Sequence, residues 1–450
     1  MALVCALTLL GASCSRSSST STGSGSSSSS TASSSSTDAT ALAAGGFGNL
    51  ASVCAKGDAT QNTASDKGVT ATEIHIGTVT DKGAEARPEL NREMYDTAVA
   101  FAKWCNAMGG INGRQVVIDD RDAKLFEYPA RVTESCDADL ALVGGGAAVD
   151  ADNGARVACG LPNIPGYVVD PTARVAGLQV QPVPNPVYTL QVGQYRAMEK
   201  LEPGATKAYG VMVAPLPAVL IVRDAAKEGI SLVGGTVVYD GQYNVIGESN
   251  WEPFVQDLKA KGVKLLEFVG EPVNLGLLQD QMAVSGYSPD LTILSPNFYD
   301  QKYLAEHGKN AKNTYIRTSF TPLEMANTNK ATQDYLDLMK QYNSSGKVAA
   351  LGEQAMSALL LFAKSAKACG ANLTRSCLLD QAKNEHSWTG GGLHAPDDPG
   401  ANKPSACFAL IKVDTTAFTY DKAATNPTDG IFNCDAGNLV ELKNDYGVPR

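Results

Sequence analysis

The 450-residue chain lacks the signatures of the common hydrolases and nucleotide enzymes. It has no H-E-x-x-H to hold zinc on one helix face and no G-x-x-x-x-G-K-[ST] loop to cradle phosphates. No G-x-S-x-G elbow presents a nucleophilic serine. A C-x-x-C pair is missing too, so a structural zinc has no ligand set. There is no basic cluster, and the formal net charge is −10. That balance argues against nucleic acid and against an anionic membrane surface as partner. After the N-terminus no apolar run approaches the about 20 residues of a spanning helix, and residues 355–363 fit a buried helix at most.

Histidine is scarce, with four in all: His75, His307, His386 and His394. His75 falls inside a strand pattern, where a satisfied or edge residue is expected. His307 ends a short helix, where a cation suits the dipole. His386 and His394 flank a Trp388–Gly392 loop, but eight-residue spacing without a third ligand is a weak metal site. No metal and no cofactor is expected. The acid pairs Asp119-Asp120 and Asp397-Asp398 read as surface. A hydrolase with two carboxyls across a cleft stays open as an alternative.

The N-terminus carries a short apolar run, residues 2–12, ending Leu9-Leu10-Gly11-Ala12-Ser13-Cys14. A signal h-region needs only about 7–15 apolar residues, so residues 1–13 read as an export signal. Small residues before a cysteine resemble a bacterial lipobox, which makes Cys14 the candidate for lipidation and the mature N-terminus. A plain secretory cleavage near Ser13 is the other reading. No Lys or Arg precedes the run, which points to a start upstream of Met1. Residues 15–40 are almost entirely Ser, Thr, Gly and Ala, a composition that cannot bury enough apolar area to order itself. Residues 14–70 are therefore taken as a tether and N-terminal extension, holding the chain at the outer face of the cytoplasmic membrane.

Ten cysteines are present. With Cys5 lost to the signal and Cys14 lipidated, Cys54, Cys105, Cys136, Cys159, Cys369, Cys377, Cys407 and Cys434 remain. An even number in an exported chain reads as disulfides. Order along the chain suggests Cys105–Cys136, Cys369–Cys377 and Cys407–Cys434, leaving Cys54–Cys159. Sequence alone leaves the connectivity open.

From about residue 71 the composition is globular, and too long for one core, so two lobes are expected. Strand patterns at 73–77, 115–118, 140–143, 208–213, 231–239, 263–268, 291–294 and 314–317 alternate with helical ones. In the first helix Met94, Ala98, Phe101, Cys105 and Met108 share one face. Alternation of this kind means an α/β fold with parallel sheets covered on both faces. Ligands then gather beyond the carboxyl ends of strands. The loops to watch are 78–89, 144–152, 214–217, 270–274 and 295–300.

Ile76-Gly77 on the first strand, then a helix and Gly109-Gly110-Ile111-Asn112-Gly113-Arg114, resembles the type I periplasmic solute-binding proteins. The subgroup is the one named for leucine/isoleucine/valine binding. Leu142-Val143-Gly144-Gly145 and Asn163-Ile164-Pro165 extend the likeness, which covers about residues 71–412. It implies two doubly wound lobes joined by a three-crossing hinge, residues 71–190 with 320–395 and residues 191–319 with 396–450. A Cys105–Cys136 link resembles a helix-to-helix disulfide of that family. The implied role is a monomeric, non-enzymatic receptor that hands a small molecule to an ABC permease. A ligand-sensing receptor module is the alternative, but the sequence runs to Arg450 with no span or signalling domain following.

The likeness also places a pocket. Gly146, Ala147 and Ala148 fall where amino-acid binders offer hydroxyls, and their N–H groups are candidates to hold an anion. Val169 falls on a second such position. Leu216 sits in the second lobe's usual aromatic loop, and Asn297 where an ammonium-binding acid is expected. Tyr167, Phe298 and Tyr299 are candidate aromatic walls. Thr80, Asp81 and Glu271 are further polar candidates. A zwitterion without partners would carry a large desolvation cost. The expected ligand is therefore a less polar molecule, aromatic or carboxylate-bearing, rather than a plain α-amino acid.

Overall fold

A computed structural model describes residues 42–449. The export signal, Cys14 and the serine-rich tether lie outside the described residues. Four strands form a first, parallel sheet: β1 (Glu73–Thr80), β2 (Gln115–Asp122), β3 (Ala141–Val143) and β4 (Asn163–Ile164), in the order β2-β1-β3-β4. Helices α1 (Arg92–Ala107) and α2 (Tyr128–Ala138) cover opposite faces. The chain then crosses through β5 (Thr189–Gln191) to a second body.

There, α3 (Gly193–Leu201), β6 (Tyr209–Val213), α4 (Pro217–Leu232), β7 (Val237–Gln242), α5 (Glu252–Ala260), β8 (Leu265–Val269), α6 (Pro272–Val284), β9 (Leu291–Leu294), α7 (Gln301–His307) and β10 (Thr314–Thr318) alternate. A second crossing returns the chain to cover the first sheet with α8 (Lys330–Tyr342), α9 (Ala350–Cys369) and α10 (Arg375–Lys383). A third brings it back as β11 (Cys407–Val413), β12 (Phe418–Tyr420), β13 (Asn433–Cys434) and β14 (Leu439–Glu441). The second sheet runs β12-β11-β10-β9-β8-β6-β7. Its pairs from β7 to β10 are parallel, whereas β11 and β12 join antiparallel. One strand expectation shifts: residues 231–232 finish α4, and β7 starts only at Val237. Gly234, at φ +81°, separates the two, since a left-handed residue ends a helix.

The extension does not stop at a tether. Phe47 and Cys54 are wholly buried in the first lobe's main core. Phe47 meets Trp104 edge-on at 6.4 Å, and Trp104 Nε1 donates to the Leu42 carbonyl at 3.1 Å. The Gly109–Arg114 turn locks this strap down. Gly110 has φ +77°, and a Cβ there would lie 2.0 Å from the Arg114 carbonyl oxygen. Buried Arg114 donates to the carbonyls of Thr63, Thr70, Gly370 and Ala371 at 2.9–3.2 Å. The motif is thus a structural clamp, remote from the strand ends that face the second lobe.

All eight remaining cysteines are bridged. Cys369–Cys377 and Cys407–Cys434 pair as expected. The other two expected pairs are corrected to Cys54–Cys105 and Cys136–Cys159. The sheet itself is the reason. Cys105 packs with Ile74 and Ile76 in the core on one face, and Cys136 packs with Val79 and Leu142 in the core on the other. Thiols on opposite faces cannot reach the roughly 2 Å of an S–S bond.

Candidate ligand-binding cleft

The strand ends of the first lobe are stitched together by two buried aspartates. Asp81, directly after β1, accepts from Leu125 N and from Ala148 N, each at 2.7 Å. Asp150 accepts from Val169 N at 2.9 Å and Asp170 N at 2.7 Å. Burial holds Asp81 above the ordinary carboxylate range, with Asp122 and Glu271 pushing the same way. Burial likewise lifts Asp150 to about 6, against its two backbone donors.

Between the lobes lies an open cleft of about 170 Å³. Arg87, Asn91, Glu93, Lys347 and Leu351 line it from the first lobe, and Glu271, Asn297, Asp300, Tyr303 and His307 from the second. Charged pairs span it. Arg87 Nη2 lies 2.7 Å from Glu271 Oε2. Lys347 Nζ reaches Glu93 on α1 at 3.1 Å and Asp300, ahead of α7, at 2.8 Å. Burial depresses the Lys347 ammonium, but these two carboxylates outweigh it and leave its pKa raised. Glu93 is raised by burial, with Lys347 opposing.

Of the residues singled out from sequence, Glu271 and Asn297 line this cleft. Asn297 is already committed: its Nδ2 donates to the Gly270 carbonyl at 2.9 Å and its Oδ1 accepts from Ser295 at 2.6 Å. Tyr167 packs against Met94, Leu351 and Ala355, outside the cleft lining, and burial pushes its hydroxyl up to about 12. Together with Gly146 and Ala147 it also lines a much smaller cavity, about 20 Å³, within the first lobe. Thr80 is wholly buried, and Val169 is spent on Asp150 and on Arg174 Nε. Leu216 starts α4 and lines neither cavity.

Three expectations are corrected. The N–H groups of Gly146 and Ala148 are not open to an anion, because Val79 O and Asp81 Oδ2 hold them. Phe298 is wholly buried in the second lobe's core, edge-on to Phe268 and Tyr303, and is no pocket wall. Tyr299 is also core, packed on Phe418, its hydroxyl bound to Glu324 and accepting from Leu323 N. Arg87 and Asp300 were within the watched loops, and their charge was the available signal. Lys347 carries none, since it lies far along the chain in the lead-in to α9.

One group resembles a hydrolytic triad. Ser357 Oγ lies 2.8 Å from His394 Nε2, and His394 Nδ1 lies 3.2 Å from Asp397 Oδ2. All three are buried, and Ser357 Oγ already accepts from Trp388 Nε1 at 2.9 Å. A carbonyl substrate has no approach to that oxygen, so the trio serves packing. His386 instead pairs with Asp398, and no cluster of three metal-ligand side chains occurs among the described residues.

Two lobes, three crossings and a cleft at the strand ends define a two-lobed binding protein. A model described as periplasmic binding protein matches residues 186–418, more than half of the sequence, and the chain belongs to that family. Members of this family act outside the cytoplasm, and no helix among the described residues is long and apolar enough to cross a membrane. Solved structures share the fold. A fatty acid ABC transporter substrate-binding protein from Thermomonospora curvata matches at TM-score 0.66 and 17% identity, over 81% of this chain and 96% of its own. A leucine-binding protein from Thermotoga maritima matches at 0.62 and 12%, over 77% and 97%. A branched-chain amino acid transporter substrate-binding protein from Streptococcus pneumoniae, in complex with isoleucine, matches at 0.59 and 16%, over 78% and 99%. No curated protein matches the chain by sequence.

Proposed function

We propose that the protein captures a small organic molecule between its lobes and delivers it to an ABC permease. The observation that carries this reading is the inter-lobe cavity, bounded by charged side chains of both lobes and lying over the carboxyl ends of the strands. Residues 71–190 with 320–395 act as one lobe and residues 191–319 with 396–450 as the other. The strap from residue 42 belongs mechanically to the first. Ligand contacts made by both lobes favour the closed state, and the closed surface is what the permease reads. Glu271 and Asn297 are the sequence-predicted residues best placed to meet the ligand, joined by Arg87, Glu93 and Lys347. The protein works as a monomer held by lipidated Cys14 outside the cytoplasmic membrane.

A thermal-stabilisation screen over amino acids, aromatic acids, amides and amines tests capture, because ligand at 100-fold its Kd adds about 2.7 kcal/mol. A hit that also quenches or shifts tryptophan emission supports closure. The absence of any hit across those classes counts against the reading. Mass spectrometry of the mature N-terminus tests the anchor: an unmodified terminus downstream of Cys14 rules it out.

A further inference from the structure

The same cleft points to the charge of its ligand, an inference that rests on the capture reading above. Five carboxylates line the cavity against three side-chain cations. The anion-gripping position of the first lobe is already filled, because Asp81 Oδ2 takes the Ala148 N–H and Val79 O takes that of Gly146. A ligand carboxylate arriving there would meet a carboxylate rather than free donors, and like charges at such range repel strongly.

Glu271 faces this acidic side of the cleft from the second lobe. Its charge adds to burial in raising the Asp81 carboxyl. Its partner is Arg87, brought across from the first lobe. That guanidinium is incompletely held: its Nε is buried without a hydrogen-bond partner among the described residues. The pair can be broken from either side, and the two sides differ. A ligand anion that captured Arg87 would leave Glu271 without its partner among the other carboxylates of the cleft. A ligand cation that captured Glu271 would release Arg87, which is about as exposed as Glu271 (30% against 34%), into a cleft where carboxylates outnumber cations. The second exchange is cheaper.

We propose that the ligand carries a positively charged amine, guanidine or quaternary ammonium group, which binds Glu271 in the inter-lobe cleft. Arg87 is the built-in stand-in for that group. It occupies the Glu271 carboxylate when ligand is absent, and the ligand's cation displaces it. A carboxylate in a cleft rich in negative charge is a sound chemical setting for an organic cation.

The test uses the folded, disulfide-intact protein and two variants, Arg87→Ala and Glu271→Gln, each checked by circular dichroism. Agmatine, choline and benzylamine are compared with benzoate, succinate and acetamide by thermal shift and calorimetry. At least one cation should bind the parent protein. Its affinity should rise about tenfold in R87A, the ratio expected if the clasp is nine-tenths populated without ligand. It should fall at least about tenfold in E271Q, as a charge-assisted contact is lost. Weaker binding in R87A, or binding by carboxylates alone, overturns the proposal and leaves solute capture standing. No response to any probe in the parent or in R87A overturns this proposal, and solute capture is then judged on the wider ligand screen.

Discussion

Replacing Cys54 and Cys105 together by alanine removes the link between the strap and α1. The bridge closes a loop with a sequence separation of 51. Chain entropy for a loop of that size is worth about 4 kcal/mol in the unfolded state. Both sulfurs are wholly buried, so cavity terms add to the loss rather than offset it. The load falls on the first lobe alone, because the strap packs only there. For a lobe of about 200 residues, 4 kcal/mol lowers the melting temperature by roughly 10 °C. Differential scanning calorimetry at fixed scan rate reads this directly, with the second lobe's transition as internal control. A drop below about 2 °C, or one shared equally by both lobes, would refute the reasoning that the strap is an integral part of the first lobe's core. Non-reducing peptide mapping of the parent protein should return Cys54 joined to Cys105 and Cys136 joined to Cys159.

Arg114→Met should be among the most damaging single changes away from the cleft. It leaves four carbonyls without their shared donor, so a loss of at least about 3 kcal/mol is expected by urea unfolding, with Arg114→Lys recovering only part of it. Asp150 supplies a pH test. Its folded-state pKa is about 6, above the ordinary value of 3.8, so its favourable contribution is fully present below pH 3.8 and is lost as pH rises through 6. The cost at neutral pH is about 3 kcal/mol. Asp150→Asn should therefore flatten the fall in urea midpoint between pH 4 and 6.5, and an unchanged slope would contradict the assignment. Arg174, Asp170 and the Val169 and Asp170 N–H groups face this carboxyl and stay in place in the variant.

Sequence periodicity carried the alternation of strands and helices well, because buried parallel strands are short apolar runs ended by glycine. It failed at α4, where residues 231–232 look strand-like but still satisfy the helix, and at β11, whose antiparallel return has no local mark. The disulfides show the limit of order along the chain. Adjacent cysteines pair only when they share a face of the sheet, and which face α1 and α2 cover is a tertiary fact. The site shows the same limit more sharply. Phe298 and Tyr299 lie in the correct loop, yet their rings turn inward because Phe268, Tyr303 and Phe418 complete a core there. Asp81 looked like an exposed acid available to ligand; two backbone donors hold it in the wall. Glu271 was legible from its place after a strand, but its partner Arg87 comes from the other lobe, 184 residues away.

The central claim is that the lobes close on a solute. Its most direct test places a spin label on the exposed Phe126 of the first lobe and another on the exposed Ile246 of the second, after changing each to cysteine. The distance distribution is measured by pulsed dipolar spectroscopy with and without the best ligand from the stabilisation screen. The account predicts that ligand narrows the distribution and shifts its mean to shorter distance, while Lys347→Gln, which removes the cation joining Glu93 to Asp300, broadens the ligand-free distribution. A distribution that ligand leaves unchanged in a protein shown to bind it would contradict capture by closure.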